Sequence, residues 1–268
     1  MMGRMNSRLA LVAVTLALAA AGRADAQVVP PAPSVPPAIE LAQYAPHPGT
    51  EPRARGGLPG RFDYYALVLS WSPTHCATTD RPEELQCNRR DGRRFSFVLH
   101  GLWPQYERGY PEFCPVAERP FVPNSTIERM LDIMPSRGLV VHQYRKHGVC
   151  AGIGVESYFD MSRRLFARLK IPPRFVDPEK SQMIDTSEVI DEFVAANPGL
   201  KPDMLAVSCG GPGNRLREVR VCFTPKGDLR SCGSNETQRR LCSAPRVFVP
   251  PVRVERGEEP PRGGRGRT

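Results

Sequence analysis

Eight cysteines, at positions 76, 87, 114, 150, 209, 222, 232 and 242, constrain this chain more than any other feature. They follow a stretch that reads as an export signal over residues 1–26. Arg4 and Arg8 supply positive charge, Leu9 to Ala21 is an almost unbroken apolar run, and Ala24-Asp25-Ala26 has small residues at the cleavage spacing. An even number of cysteines behind such a signal predicts disulfides in a secreted or periplasmic protein. Zinc is the competing use of cysteine, and the absence of any Cys-x-x-Cys pair argues against it. The count leaves the pairing open, with on the order of a hundred connectivities. The apolar run is shorter than the roughly 20 residues of a bilayer span, so cleavage rather than a membrane anchor is expected.

Residues 27–60 are proline-rich, with Pro30, Pro31, Pro33, Pro36 and Pro37 close together, and predict an extended or disordered spacer. Residues 250–268 mix Pro, Gly, Arg and Glu without an apolar period and predict a tail of the same kind. One folded domain is expected between them, over residues 61–249. Within it, Phe62 to Trp71 and Phe95 to Leu99 read as buried strands. Ser125-Thr126-Ile127-Glu128 reads as a capping box opening a helix that ends before Pro135. A further helix is expected over Val140 to His147, stopping at Gly148. Helical spacing also marks Tyr158, Met161, Leu165 and Leu169, and Val189, Ile190, Phe193 and Val194. Late strands at Leu205 to Ser208 and Val219 to Phe223 complete an α+β pattern.

The formal charge is +9, and loss of Arg4, Arg8, Arg23 and Asp25 with the signal leaves +7. That excess attracts polyanions, although it serves solubility equally well. The chemistry concentrates in two segments, Phe97 to Gln105 (FVLHGLWPQ) and His142 to Cys150 (HQYRKHGVC), which hold three of the five histidines. In the first, His100 ends an apolar strand and is followed by a glycine and by Trp103, a ring able to stack on a base. In the second, His142 and Lys146 stand four apart on a helical face, with His147 at the helix end. RNA cleavage needs such a set. The 2′-hydroxyl must lose a proton, the leaving 5′-oxygen must gain one, and the phosphorane must be stabilised. Two imidazoles meet the first needs, and Lys146 with a protonated His142 meets the last.

These segments resemble the two active-site signatures of the ribonuclease T2 family, the second of which usually reads His-Glu-Trp-x-Lys-His-Gly-Thr-Cys. The likeness extends to FDYYALVLSWSPTHC, Phe62 to Cys76, and covers about Arg61 to Cys242. It implies an α+β fold with a central antiparallel sheet flanked by helices and stabilised by disulfides. The activity it implies is acid endoribonuclease cleavage of single-stranded RNA through a 2′,3′-cyclic phosphate without a metal; no cofactor is expected, and the chain is expected to act as a monomer. By the resemblance, His100 is the general acid, His147 the base, His142 a phosphate contact and Lys146 the stabiliser of the intermediate. Trp103 falls at the base site, with Tyr106 or Tyr110 as further stacking partners. The resemblance pairs Cys114 with Cys150 and Cys209 with Cys242, and the expectation for the rest is Cys76 with Cys87 and Cys222 with Cys232.

Two positions depart from the family pattern. Gln143 stands where glutamate is usual, replacing a charge with a neutral amide, and Tyr144 replaces a tryptophan in what reads as a packing exchange. Two other readings compete. A ribonuclease-like domain that only binds RNA would not need two titratable groups opposite one phosphate. A zinc hydrolase using His100, His142 and His147 lacks the His-Glu-x-x-His spacing.

Overall fold

Tyr64–Trp71 is apolar in every position but Ser70 and buried in every position but Ser70, which makes it a strand that must be covered on both faces. The computed structural model describes residues 56–79, 85–87 and 95–252; the expected signal and most of the spacer and tail lie outside the described residues. In chain order the elements are β1 Tyr64–Trp71, α1 Ser72–Thr78, β2 Phe97–Gln105, α2 Asn124–Met130 and α3 Arg137–Gln143. A π turn, Tyr144–Gly148, then passes into α4 Val149–Ala151. There follow α5 Val155–Arg168, β3 Gln182–Asp185, α6 Thr186–Ala196, β4 Leu205–Gly210, β5 Arg215–Phe223, α7 Gln238–Leu241 and β6 Arg246–Val249.

The strands form one sheet in the order β2-β1-β5-β6-β3, with β4 also on β5. Pairing is antiparallel except for a single parallel pair, Arg215 with Phe248, so the expected antiparallel sheet is mixed at one point. Along β1, Tyr65, Leu67, Leu69 and Trp71 join the main core, where Trp71 and Phe97 meet edge to face at 4.9 Å. Their partners on β5, Phe223, Val221 and Val219, lie in the same core. Strand periodicity therefore turns Ala66, Val68 and Ser70, with Cys222, Arg220 and Glu218 opposite them, to the other face. That second face carries the polar chemistry.

Strand β2 runs six residues beyond the expected Leu99, through Gly101 and Pro104. It is an edge strand, where a proline lacking its N–H is tolerated. Its register on β1 slips once: Val68 pairs with Gly101 and Leu69 with Leu99, which leaves His100 as the extra residue of a β-bulge. The expected capping box does not form. Pro123 occupies the N-cap, the helix starts at Asn124, and Glu128 pairs with Arg137 instead. Nor does the second-signature helix stop at Gly148; it continues to Ala151 and ends at Gly152, whose φ of +71° suits glycine. Gly148 is a packing requirement, since a Cβ there would lie 2.4 Å from Tyr144 Cδ2.

The order extends past both expected domain limits. Gly60 donates its N–H to Cys150 O at 2.9 Å, and Pro250 O accepts from Trp71 Nε1 at 3.2 Å. All four expected disulfides are present: Cys76–Cys87, Cys114–Cys150, Cys209–Cys242 and Cys222–Cys232. Among the described residues, no helix is long and apolar enough to cross a membrane.

Candidate active site

The bulge aims His100 onto the polar face, and the return to alternation places Trp103 on that face as well. His100 Nδ1 lies 2.9 Å from Glu218 Oε1 on β5, with the imidazole side chain 31% exposed. Glu218 is also held by Arg220, whose Nη2 and Nε lie 2.8 and 3.0 Å from Oε2. Burial alone would raise the Glu218 carboxyl, but the bond from His100 and the Arg220 charge outweigh it and hold the group down at about 2.

The π turn carries the other half. A widened turn of this kind rephases the helix after Gln143, and His147 points inward and is 3% exposed while Lys146 stays partly exposed. His147 stacks on Trp103, with centroids 4.8 Å apart and planes within 19°, and the His100 ring meets the same indole edge-on at 5.2 Å. Trp103 thus brings the two signature histidines together. Burial, together with the positive groups Lys146, His100, His142 and Arg220, pushes the His147 imidazole down to about 2. Its Nδ1 is buried and has no hydrogen-bond partner among the described residues.

Gln143 is 2% exposed and accepts a hydrogen bond from Trp103 Nε1 at 2.7 Å, so the amide holds the indole by its edge. This arrangement requires Gly101, because a Cβ there would stand 2.3 Å from Gln143 Oε1 and 2.6 Å from Trp103 Nε1. Tyr144 packs near Tyr158 and Phe159, as a packing exchange should. Lys146 Nζ faces Glu112 Oε2 at 3.4 Å. His142 is largely exposed, its ring 6.5 Å from that of Phe113, and the partial burial of its imidazole together with the positive groups Lys146 and His100 lowers its pKa.

The expected base-site rings are placed differently from one another. Trp103 is engaged by protein groups, His147 against its ring and the Arg220 guanidinium 4.9 Å from its centroid. Tyr106 turns its hydroxyl toward Gly57, where a Cβ would come within 2.4 Å of it, and Tyr110 is 49% exposed. Phe113, which the sequence reading passed over, is 51% exposed and has a φ of +49°, an uncommon conformation for a bulky residue. It is held by its N–H to Lys146 O at 2.8 Å and by the adjacent Cys114–Cys150 bridge, and it lines an open groove of about 460 Å³ with Arg119, Pro120 and Arg145. Glu218 and Arg220 were passed over as well. Their signal was faint: two opposite charges two positions apart at the start of an apolar strand, hence on one face. Among the described residues, no group of three or more His, Cys, Asp or Glu is placed to hold a metal ion.

A model of the ribonuclease T2 family matches residues 62–232. A ribonuclease of Aeromonas hydrophila is 32% identical over 213 residues, covering 74% of this chain and 89% of that protein. A probable ribonuclease of Haemophilus influenzae is 30% identical over 183 residues, 64% of this chain and 61% of that protein. In fold, the chain is similar to an RNase-related protein from Calystegia sepium, with a TM-score of 0.54 at 18% identity over 71% of this chain and 98% of that one. The family match spans both histidine segments and the strands that carry His100 and its glutamate, and with it the chain belongs to the ribonuclease T2 family and is an endoribonuclease of that type.

Proposed function

We propose that this protein cleaves single-stranded RNA with His147 as general base and His100 as general acid, through a 2′,3′-cyclic phosphate to 3′-phosphate ends. The observation that carries this reading is the convergence of two imidazoles on one indole, 4.8 and 5.2 Å from its centroid, in environments of opposite electrostatic character. His100 faces a carboxylate and His147 stands buried among positive groups, a contrast of surroundings that suits an acid and a base respectively.

Neutral His147 takes the proton of the 2′-hydroxyl as its oxygen bonds to phosphorus. As the bond from phosphorus to the 5′-oxygen breaks, protonated His100 gives that oxygen its proton. Lys146 and His142 offset the negative charge that builds on the phosphorane. Water then opens the cyclic phosphate with the two histidines in exchanged roles. A base kept neutral into the acid range lets the reaction run below neutral pH, in keeping with acid ribonuclease chemistry. Trp103 serves first as the platform of His147, and Tyr110 and Phe113 are the half-exposed rings available to stack on bases. Residues 1–26 would direct the chain to a secreted or periplasmic location, where its four disulfides persist.

The test is incubation of purified protein with RNA and with single-stranded DNA in excess chelator, followed by identification of product ends. Cleavage of RNA alone, with early 2′,3′-cyclic phosphates, is expected, because the nucleophile is the substrate's own 2′-hydroxyl. Cleavage of DNA, products with 5′-phosphates, or loss of activity in chelator would overturn the mechanism.

A further inference from the structure

A line of largely buried charge runs behind His100. Glu218 lies opposite Ser70 and Arg220 opposite Val68 on the polar face of the sheet, and their side chains are 14% and 18% exposed. Arg220 occupies the second oxygen of Glu218 through two nitrogens and reaches Glu236 Oε1 at 3.5 Å through a third. The Glu236 side chain is fully buried and accepts the hydroxyl of Tyr64; burial raises its pKa against the opposing pull of Tyr64 and Arg220. Buried ion pairs of this kind are often no more stabilising than apolar residues of the same size, because both charges are desolvated. Stability alone is therefore a weak reason for such a network, and this one terminates on the imidazole assigned as the acid.

We propose that Glu218 is the positioning residue of His100, and that Arg220 is a clamp which fixes Glu218 and ties it to Trp103 and so to His147. The inference rests on the reading of His100 as general acid. An imidazole can offer only one nitrogen to the substrate. With Nδ1–H donating to Glu218 Oε1, the ring is held in one orientation and Nε2 is the nitrogen left to deliver a proton to the leaving oxygen. A carboxylate against Nδ1 also leaves that nitrogen as a fixed donor, so the ring cannot turn its other nitrogen away from the substrate. Arg220 suits the clamp because its planar fork takes the carboxylate through two nitrogens while its face covers the indole at 4.9 Å. A lysine could do one of these things but not both. Through Trp103, which stacks on His147, the same guanidinium sets the spacing between acid and base.

The charged groups bearing on His100 come from two sides: Glu218 and Arg220 from β5, and His142, Lys146 and His147 from α3 and the π turn, with Glu112 offsetting Lys146. Removing the Glu218 charge leaves the site cationic, so the fraction of active enzyme should fall earlier as pH rises.

The experiment measures kcat and KM for a dinucleotide across pH in the parent, Glu218→Gln, Glu218→Asp and Arg220→Lys, at fixed ionic strength. The expected result for Glu218→Gln is a fall in kcat of about 10- to 100-fold with KM within about two-fold, as for loss of a charge-assisted bond. Its alkaline limb moves to lower pH, and Glu218→Asp restores part of the rate and of the limb. Parent kinetics with an unmoved profile overturn the proposal. So does a rate loss with an unmoved profile, which marks Glu218 as packing only. If Glu218→Gln does not fold, Arg220→Lys decides: a lower kcat with a displaced alkaline limb supports the clamp, and parent-like behaviour rejects it. A parent that does not cut RNA defeats the broader reading instead, so the two failures are distinct.

Discussion

The two halves of the site solve one problem on different backbones. His100 is the extra residue of a β-bulge in β2, and His147 lies in a π turn that widens a helix. Each histidine stands where a regular ladder takes in extra chain, and in each case the irregularity turns the side chain away from its regular heading. Their surroundings then differ. His100 is partly exposed and backed by a carboxylate, whereas His147 is buried against an indole among cations. Irregular backbone brings the rings together, and their neighbours give them different surroundings.

Removal of either ring has the largest expected effect. His100→Ala and His147→Ala should each lower kcat for a dinucleotide by about 10²- to 10⁴-fold with the fold kept, as loss of a general acid or base does. Circular dichroism checks the fold. A His100→Ala variant turning over near the parent rate would end the acid assignment.

The next effect separates the halves by their staples. Cys114–Cys150 closes 36 residues and pins the loop carrying Glu112 and Phe113 to the helix of His147, while Cys222–Cys232 closes only 10 on the strand behind His100. Paired Cys→Ala replacements should cost about 4 kcal/mol for the first and about 3 kcal/mol for the second in urea unfolding, by loop entropy. The first should also lower kcat more, because Phe113 and Lys146 are joined across it.

Residue patterns made much of this legible beforehand. The apolar run of β1, the helical stripes and the two histidine segments needed only local periodicity and residue chemistry. The bulge at His100 was not legible, because Gly101 and Pro104 look like strand breakers until β2 is known to be an edge strand. The π turn was hidden for a similar reason: His142 and Lys146 read as one face of a regular helix. Glu218 acquires meaning only when β5 is paired with β1 and β1 with β2, an arrangement spanning more than a hundred positions of chain that no local window contains. Short strands such as β3 and β6, four residues each, carry too little pattern to be seen alone.

A smaller effect concerns stability against pH. The folded His147 pKa is depressed, so its contribution is complete above the ordinary histidine value and is lost as pH falls below it; Glu218, also depressed, acts in the same sense below the ordinary carboxylate range. One such proton gives a slope of about 1.4 kcal/mol per pH unit. Between pH 6.5 and pH 5 the parent should therefore lose about 2 kcal/mol that His147→Phe does not lose, as measured by urea midpoints at the two pH values. Equal losses in both proteins would mean that His147 is not held neutral.

The smallest effect is that of Gln143→Glu. The new carboxylate would keep the Trp103 bond and place a charge at the edge of the indole on which His147 stacks. Opposite charge favours protonated imidazole, so the pH–activity profile should move upward, with a rate change of at most about ten-fold. An unmoved profile in a folded variant would show that Trp103 insulates residue 143 from both histidines.

The division of labour itself is tested most directly with a substrate whose leaving group needs no proton, such as a nucleoside 3′-phosphate esterified with para-nitrophenol. His100→Ala should cut it at a rate within about ten-fold of the parent, although it loses about 10²-fold or more on a dinucleotide; His147→Ala should stay deeply impaired on both, because the 2′-hydroxyl must still be deprotonated. Rescue of His147→Ala in place of His100→Ala, or of neither, would contradict the assignment of acid and base.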